Sequence, residues 1–315
     1  WWYLGLRNLV FRYLNRVADQ NKSARILDAG CGTGKLLEMC KGHGEIDNSY
    51  REIGKGHCEP GKSHRKIDKS HREIGESHRK IGKSHREIGE SHRKVDKSHI
   101  ETSNSYRAYG LEFSEDAFTF LKMRGLRNVV RSSICRIPFR DQAFHGVVSL
   151  DVLYHAGVEN DEEALVEIHR ALKPDGILIL NLPAFEFLRS EHDLAVHTNR
   201  RYQTGELRQK LEKAGFSVQV ITYRNTFLFP IAAGVRLIKK AMPKEGQGHT
   251  IKSDLSPLPS WANKLLYSVL FFENVLMFRG VTFPFGLSVF CVAKKSGQSV
   301  SEKGKSKKEK VKRKK

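Results

Sequence analysis

Residues 26–34 read Ile26-Leu27-Asp28-Ala29-Gly30-Cys31-Gly32-Thr33-Gly34, with glycines at alternate positions and an acid two residues before the first. A glycine-rich turn lets backbone approach a bound nucleotide closely, where a Cβ would clash. The spacing is G-x-G-x-G, not the G-x-G-x-x-G of dinucleotide binders. Later, residues 183–202 (PAFEFLRSEHDLAVHTNRRY) collect Glu191, His192, His197, Arg200, Arg201 and Tyr202. A neutral histidine can take a proton from a hydroxyl or amine nucleophile, which makes His192 and His197 the candidate catalytic residues. Arg200 and Arg201 can clamp an acidic or phosphorylated group. The plainer reading of this stretch is a lid loop whose polar groups cap and pair on the surface. Cys31, Cys40, Cys58, Cys135 and Cys291 are scattered and odd in number, so neither a disulfide framework nor a metal site is expected, and a reducing cytoplasm is.

The elements needed to hold these residues alternate. An amphipathic start, Leu4 to Val17, precedes a short strand at Arg25 to Ala29, the glycine turn and a helix from Lys35 to Cys40. Further strands are predicted at Ala108–Phe113, Asn128–Arg131, Gly146–Leu150, Ile177–Leu182, Phe216–Tyr223 and Leu287–Ala293. Ser114 caps a helix with Glu115 and Asp116 in its first turn. Glu162–Leu172 is a helix stopped by Lys173-Pro174-Asp175-Gly176, and Thr204–Ala214 one stopped by Gly215. Such alternation implies a mostly parallel sheet with helices on both faces and a ligand beyond the carboxyl ends of the strands. Thr226–Ile238 and Leu265–Phe278 are too short and too charged to span a bilayer. They read as helices over the pocket, or else on a membrane surface, the former preferred.

Charge and repetition divide the 315 residues. The net charge is +20, but residues 294–315 hold 11 Lys/Arg against 2 Asp/Glu, and residues 43–106 hold 14 against 11. The remaining 229 residues carry only +8, so most of the basicity lies outside the expected folded core. Between Gly56 and Ile100 a heptapeptide recurs, with histidine at 57, 64, 71, 78, 85, 92 and 99. One apolar residue per repeat is too few for a coiled coil, and the glycines at 75, 82 and 89 each cost a helix about 1 kcal/mol. We expect a disordered low-complexity insert at 43–106 and a disordered Lys-rich tail at 294–315, the latter either solubilising or attracted weakly to RNA or an anionic surface. The chain opens on Trp1-Trp2-Tyr3 without an initiator Met, so its natural start is expected elsewhere.

The glycine turn and four further segments together resemble the class I S-adenosylmethionine-dependent methyltransferases, and within them the methyltransferase type 11 domain. The segments are Tyr109–Phe113 ending on Glu112, Ser133–Phe139, Phe144–His155 and Glu167–Leu182. The resemblance covers residues 1–42 and 107–293. It implies a Rossmann-like seven-stranded, mostly parallel sheet whose last strand is antiparallel, and S-adenosyl-L-methionine as cofactor. It implies that Gly30, Cys31, Gly32 and Gly34 line the cofactor, that Asp28 helps hold its methionine end, and that Glu112 accepts both ribose hydroxyls in charge-assisted hydrogen bonds. Ser133 stands where the family often has Asp beside the adenine, so the backbone of Ile134 is expected to substitute. Asp151 faces the expected methyl-transfer zone, as a cofactor contact or as a structural cap.

The function so implied is methyl transfer to a small-molecule or lipid-like acceptor, in the cytoplasm or peripherally at a membrane, with no transmembrane segment. Two alternatives stand beside it: a catalytically degenerate cofactor-binding protein, and an RNA-associated methyltransferase using its basic tail. A nicotinamide-dependent oxidoreductase is disfavoured by the glycine spacing. A DNA amino-methyltransferase is disfavoured because Ser149-Leu150-Asp151-Val152 is no N/D-P-P-Y motif.

Overall fold

A computed structural model describes residues 2–21, 23–41, 106–190, 193, 196–241 and 259–296. The heptapeptide repeats, the chain beyond residue 296 and His192 lie outside the described residues.

In chain order the elements are α1 (Trp2–Gln20), β1 (Ala24–Ala29), α2 (Lys35–Lys41), β2 (Tyr106–Glu112), α3 (Glu115–Met123), β3 (Val129–Arg131), β4 (Phe144–Leu150), α4 (Asp161–Ala171), β5 (Leu172–Pro183), α5 (Thr204–Lys213), β6 (Phe216–Arg224), α6 (Phe229–Ala241), α7 (Ser260–Phe278) and β7 (Ser288–Lys295). The sheet has seven strands in the order β3-β2-β1-β4-β5-β7-β6. All neighbours pair in parallel except β7, which is antiparallel to both β5 and β6. This is the Rossmann-like, doubly covered sheet expected from the alternation of elements. The strand order reverses between β1 and β4, which opens a crevice at their carboxyl ends.

Both faces of the sheet are covered, so its central strands are apolar throughout. In β5, Leu178, Leu180 and Leu182 join the core under α4 and α5, while Ile177 and Ile179 join the core under α1 and α7. Asn181 is the polar interruption of this strand, and it is fully buried. Ser114 caps α3 by accepting from Ala117 N, and Asn160 caps α4 by accepting from Glu162 N and Glu163 N.

Two boundaries differ from expectation. The helix before the Lys173-Pro174-Asp175-Gly176 turn does stop, at Ala171, but the chain enters β5 at once, with Asp175 at φ +64°. β7 runs on through Lys294 and Lys295, which the sequence reading assigned to the tail. Their ammonium groups are fixed: Lys294 pairs with Asp175 at 3.0 Å, and Lys295 donates to the carbonyls of His169 and Leu172.

Candidate functional site

The three glycines of the turn do different work. All have positive φ: +89° at Gly30, +52° at Gly32 and +77° at Gly34. A Cβ on Gly30 would sit 2.3 Å from Val152 Cγ2, so that glycine lets the β1 turn close against the β4 loop. A Cβ on Gly34 would sit 2.3 Å from Leu126 Cδ1 and 2.5 Å from Leu121 Cδ2, so it lets α2 start close to α3. Only at Gly32 would a Cβ meet nothing within 4 Å. Gly32 is therefore where open backbone faces the crevice. Cys31 turns inward: its amide donates to Leu111 O, and its side chain packs with Leu37, Leu121 and Leu126.

Glu112 ends β2 beside this turn. Its Oε2 accepts from Gly32 N at 2.7 Å and its Oε1 from Ser114 N at 2.8 Å. Two backbone donors fix the carboxylate plane, yet a carboxylate has about four lone-pair sites, so each oxygen keeps one free. That is the arrangement needed to receive two adjacent hydroxyls. Asp28, one strand away, is 5% exposed, and burial, with Glu112 adding to it, pushes its carboxyl up to about 7. A cation placed beside Asp28 would restore its charge.

Asp151 directly follows β4 at φ +58°. Its amide donates to Asn181 O, and its Oδ1 accepts from Asn181 Nδ2, both at 2.9 Å. Burial raises it to about 6, against the lowering effects of the Asn181 hydrogen bond and the charge of Arg224. Asn181 Oδ1 and the neighbouring Ser149 Oγ are buried without a partner. Asn181 is a functional candidate the sequence reading missed. The signal was there, a lone amide in the apolar run Ile177–Leu182.

Other expected site residues are committed elsewhere. Ser133 Oγ accepts from Cys135 N within its own turn, and Ile134 is buried at 4% exposure. His197, at φ +51°, offers its carbonyl to Ala156 N, which ties its loop to the segment after β4. The two arginines are not free clamps. The Arg201 side chain is 4% exposed, forms a bidentate pair with Asp193 and donates to Ala184 O. Arg200 pairs with Asp161 at 2.9 Å. Burial pushes Asp161 up, but hydrogen bonds from Lys210 and Tyr202 and the charge of Arg200 outweigh it and hold it below the ordinary carboxylate range. The Arg-Arg-Tyr segment is thus an internal brace joining its loop to α4 and α5, paired as the plainer reading expected but inside the protein and not on its surface.

A second brace lies past β6. Glu273 of α7 is fully buried and accepts from three consecutive amides, Asn225 at 2.5 Å, Thr226 at 2.9 Å and Phe227 at 3.3 Å. Beside it Arg224, also fully buried, is pushed down to about 10 by burial, against the opposing charges of Glu273 and Asp151. Asn274 donates to Gly5 O at 2.7 Å, so α7 also holds the first turn of α1.

Residues 95–180 match the family model of the methyltransferase domain. The chain carries a methyltransferase domain. The match begins within the last repeats and so leaves out the glycine turn, which the sheet brings back beside Glu112. The methyltransferase domain indicates S-adenosylmethionine as cofactor, and the cradle at Gly32 and Glu112 fits it: open backbone, two free acceptor sites and a buried acid. No curated protein matches the chain. Among solved structures, the chain is similar to an S-adenosylmethionine-dependent methyltransferase from Archaeoglobus fulgidus, at 18% identity and TM-score 0.44, covering 92% of this chain and 94% of that one. It is also similar to phosphoethanolamine N-methyltransferase 2 of Haemonchus contortus in complex with S-adenosyl-L-methionine, at 14% identity and TM-score 0.45, covering 92% and 52%. A third is an S-adenosylmethionine-dependent methyltransferase from Methanosarcina mazei, at 12% identity and TM-score 0.43, covering 88% and 95%. Among the described residues no group of His, Cys, Asp and Glu could hold a metal ion, and no helix is long and apolar enough to cross a membrane.

Proposed function

We propose that this methyltransferase transfers a methyl group to a small-molecule or lipid-like acceptor in the cytoplasm, at the crevice between the β1 and β4 loops. The observation that carries the reading is Glu112, held in plane by Gly32 N and Ser114 N beside the one open glycine of the turn. When bound, S-adenosylmethionine supplies a methyl group made electrophilic by its positively charged sulfur.

The chain's own residues do the rest. Glu112 receives the ribose hydroxyls and sets the depth of the nucleoside. Asp28 receives the ammonium of the methionine end, and a cation there draws its carboxyl back toward the charged form. Ile134 supplies apolar contact and backbone beside the adenine. Asp151, held by two bonds from Asn181, stands where the acceptor enters. With its carboxyl at about 6 it is mostly charged at neutral pH, and so suited to taking the acceptor's proton. His197, whose carbonyl accepts from Ala156 N, and His192, outside the described residues, remain the alternative bases. In-line placement of nucleophile and methyl supplies most of the acceleration in such a reaction.

The test is calorimetric titration of S-adenosylmethionine into wild-type protein and into Gly32→Arg and Glu112→Ala, followed by transfer of labelled methyl to a panel of amines, hydroxyls and lipid headgroups. We expect binding lost in Gly32→Arg and weakened at least tenfold in Glu112→Ala. A folded wild type that binds no cofactor would sink the reading. Cofactor binding with no transfer to any acceptor would leave the degenerate alternative.

A further inference from the structure

Large apolar side chains in water are not spread evenly over this protein. On α6 and just before it, Phe227, Ile231, Val235 and Ile238 are all exposed, Ile231 at 70%. Their spacing of four, four and three places them along one side of the helix. On α7, Trp261, Leu265 and Phe272 are exposed at 70%, 57% and 58%, spaced four and seven apart, again one side. The rings of Phe227 and Phe272 lie 6.2 Å apart and join the two stripes into one face. Scattered exposed apolar residues need no explanation, but a joined face of this kind marks an interaction site.

The charges around the face say what it meets. Lys264 stands exposed on α7. Arg12 and Arg16 of α1 lie over the α7 rings of Phe271 and Phe278, 5.6 Å and 4.1 Å from their centroids. Among the described residues 225–241 and 259–285 the one acid is Glu273, which is buried and engaged by three amides. An apolar face with a tryptophan, cations beside it and no exposed acid among described residues 225–241 and 259–285 has the chemistry of an interfacial helix. A second copy would fit poorly, because a two-fold contact through this face would bring these cations together.

We propose that the α6–α7 face docks on an anionic lipid surface, its apolar side chains entering at headgroup level and its cations meeting lipid phosphates. Neither helix spans the bilayer, so the protein lies on the membrane. This inference stands on surface chemistry and does not depend on methyl transfer.

The experiment is co-sedimentation of the full chain with vesicles of phosphatidylcholine alone and of phosphatidylcholine with phosphatidylglycerol in equal parts, at two salt concentrations. Ile231→Asp/Leu265→Asp, Lys264→Glu and a chain ending at Ser296 run beside wild type. Near-ultraviolet circular dichroism confirms that the variants are folded. We expect wild type to bind the anionic vesicles at least tenfold more tightly than the neutral ones. The double variant should lose at least tenfold in that binding, Lys264→Glu should lose a few-fold with a weaker salt dependence, and the truncated chain should keep at least a third of it. Absence of wild-type binding overturns the proposal. So does binding that survives the double variant but vanishes on truncation, which would assign it to the basic tail. A concentration-dependent dimer in light scattering that the double variant dissolves also overturns it, in favour of a second copy.

Discussion

Asp28 is a carboxyl whose environment works against its charge until something cationic arrives. Its folded value of about 7 lies above the ordinary 3.8. An acid shifted upward lends stability that is complete below its unfolded value and disappears as pH rises through its folded value. The cofactor-free protein should therefore lose stability between about pH 4 and pH 7 on account of this group. In Asp28→Asn that loss should shrink, so that the variant's melting temperature gains on wild type by on the order of 5 °C from pH 4 to pH 8. A gap that does not change with pH would show that Asp28 has a neighbour that neutralises it. The variant should also bind S-adenosylmethionine more weakly. The glycines beside it separate by denaturant midpoint: Gly30→Ala meets Val152 at 2.3 Å and should cost about 3 kcal/mol, whereas Gly32→Ala carries only backbone strain, about 1 kcal/mol. Equal costs would mean the β1 and β4 loops relax freely. At this scale the sequence was informative where a residue type answers a local backbone demand, as at the glycines and at Glu112 closing a strand. It misled at Arg201, whose partner Asp193 lies eight residues back in a loop with no period to reveal the pairing.

Elements were legible because burial imposes a period. Every strand expected from the sequence is present, with ends displaced by a few residues where pairing runs past the apolar run, as at Leu172 and Lys295. What periodicity does not carry is which strand lies beside which, or that one helix clasps a turn from the far side of a gap in sequence. Glu273 of α7 gathers three amides of the β6–α6 turn. Glu273→Ala strips all three donors of their acceptor in a dry site, and should cost about 2–4 kcal/mol. Measured by urea unfolding, a loss under about 0.5 kcal/mol would mean that water replaces the carboxylate.

For the molecule as a whole, the described chain leaves off at Lys41, the end of α2, and resumes at Tyr106, the start of β2, while the crevice lies at the carboxyl ends of the strands. Glu112 takes its two described amide bonds from Gly32 and Ser114. Replacing residues 43–105 with a short Gly/Ser link should leave the affinity for S-adenosylmethionine within threefold of wild type by the same titration. A loss beyond tenfold would tie the repeats to the site. The two-sided sheet was foreseeable from composition and alternation, since a chain this apolar outside its repeats must cover both faces. The patch on α6 and α7 was half-visible, because apolar content alone does not say which side of a helix stays wet.

The position of β7 bears on how the protein is made. Among the described residues β6 pairs only with β7, and β7 is the last strand. Until Ser288–Lys295 has emerged from the ribosome, β6 has no place in the sheet and the edge of β5 stays bare, open to pairing with another chain. Synthesis halted short of Ser288 therefore forfeits two strands, not one, and leaves a sticky edge on a five-stranded remnant.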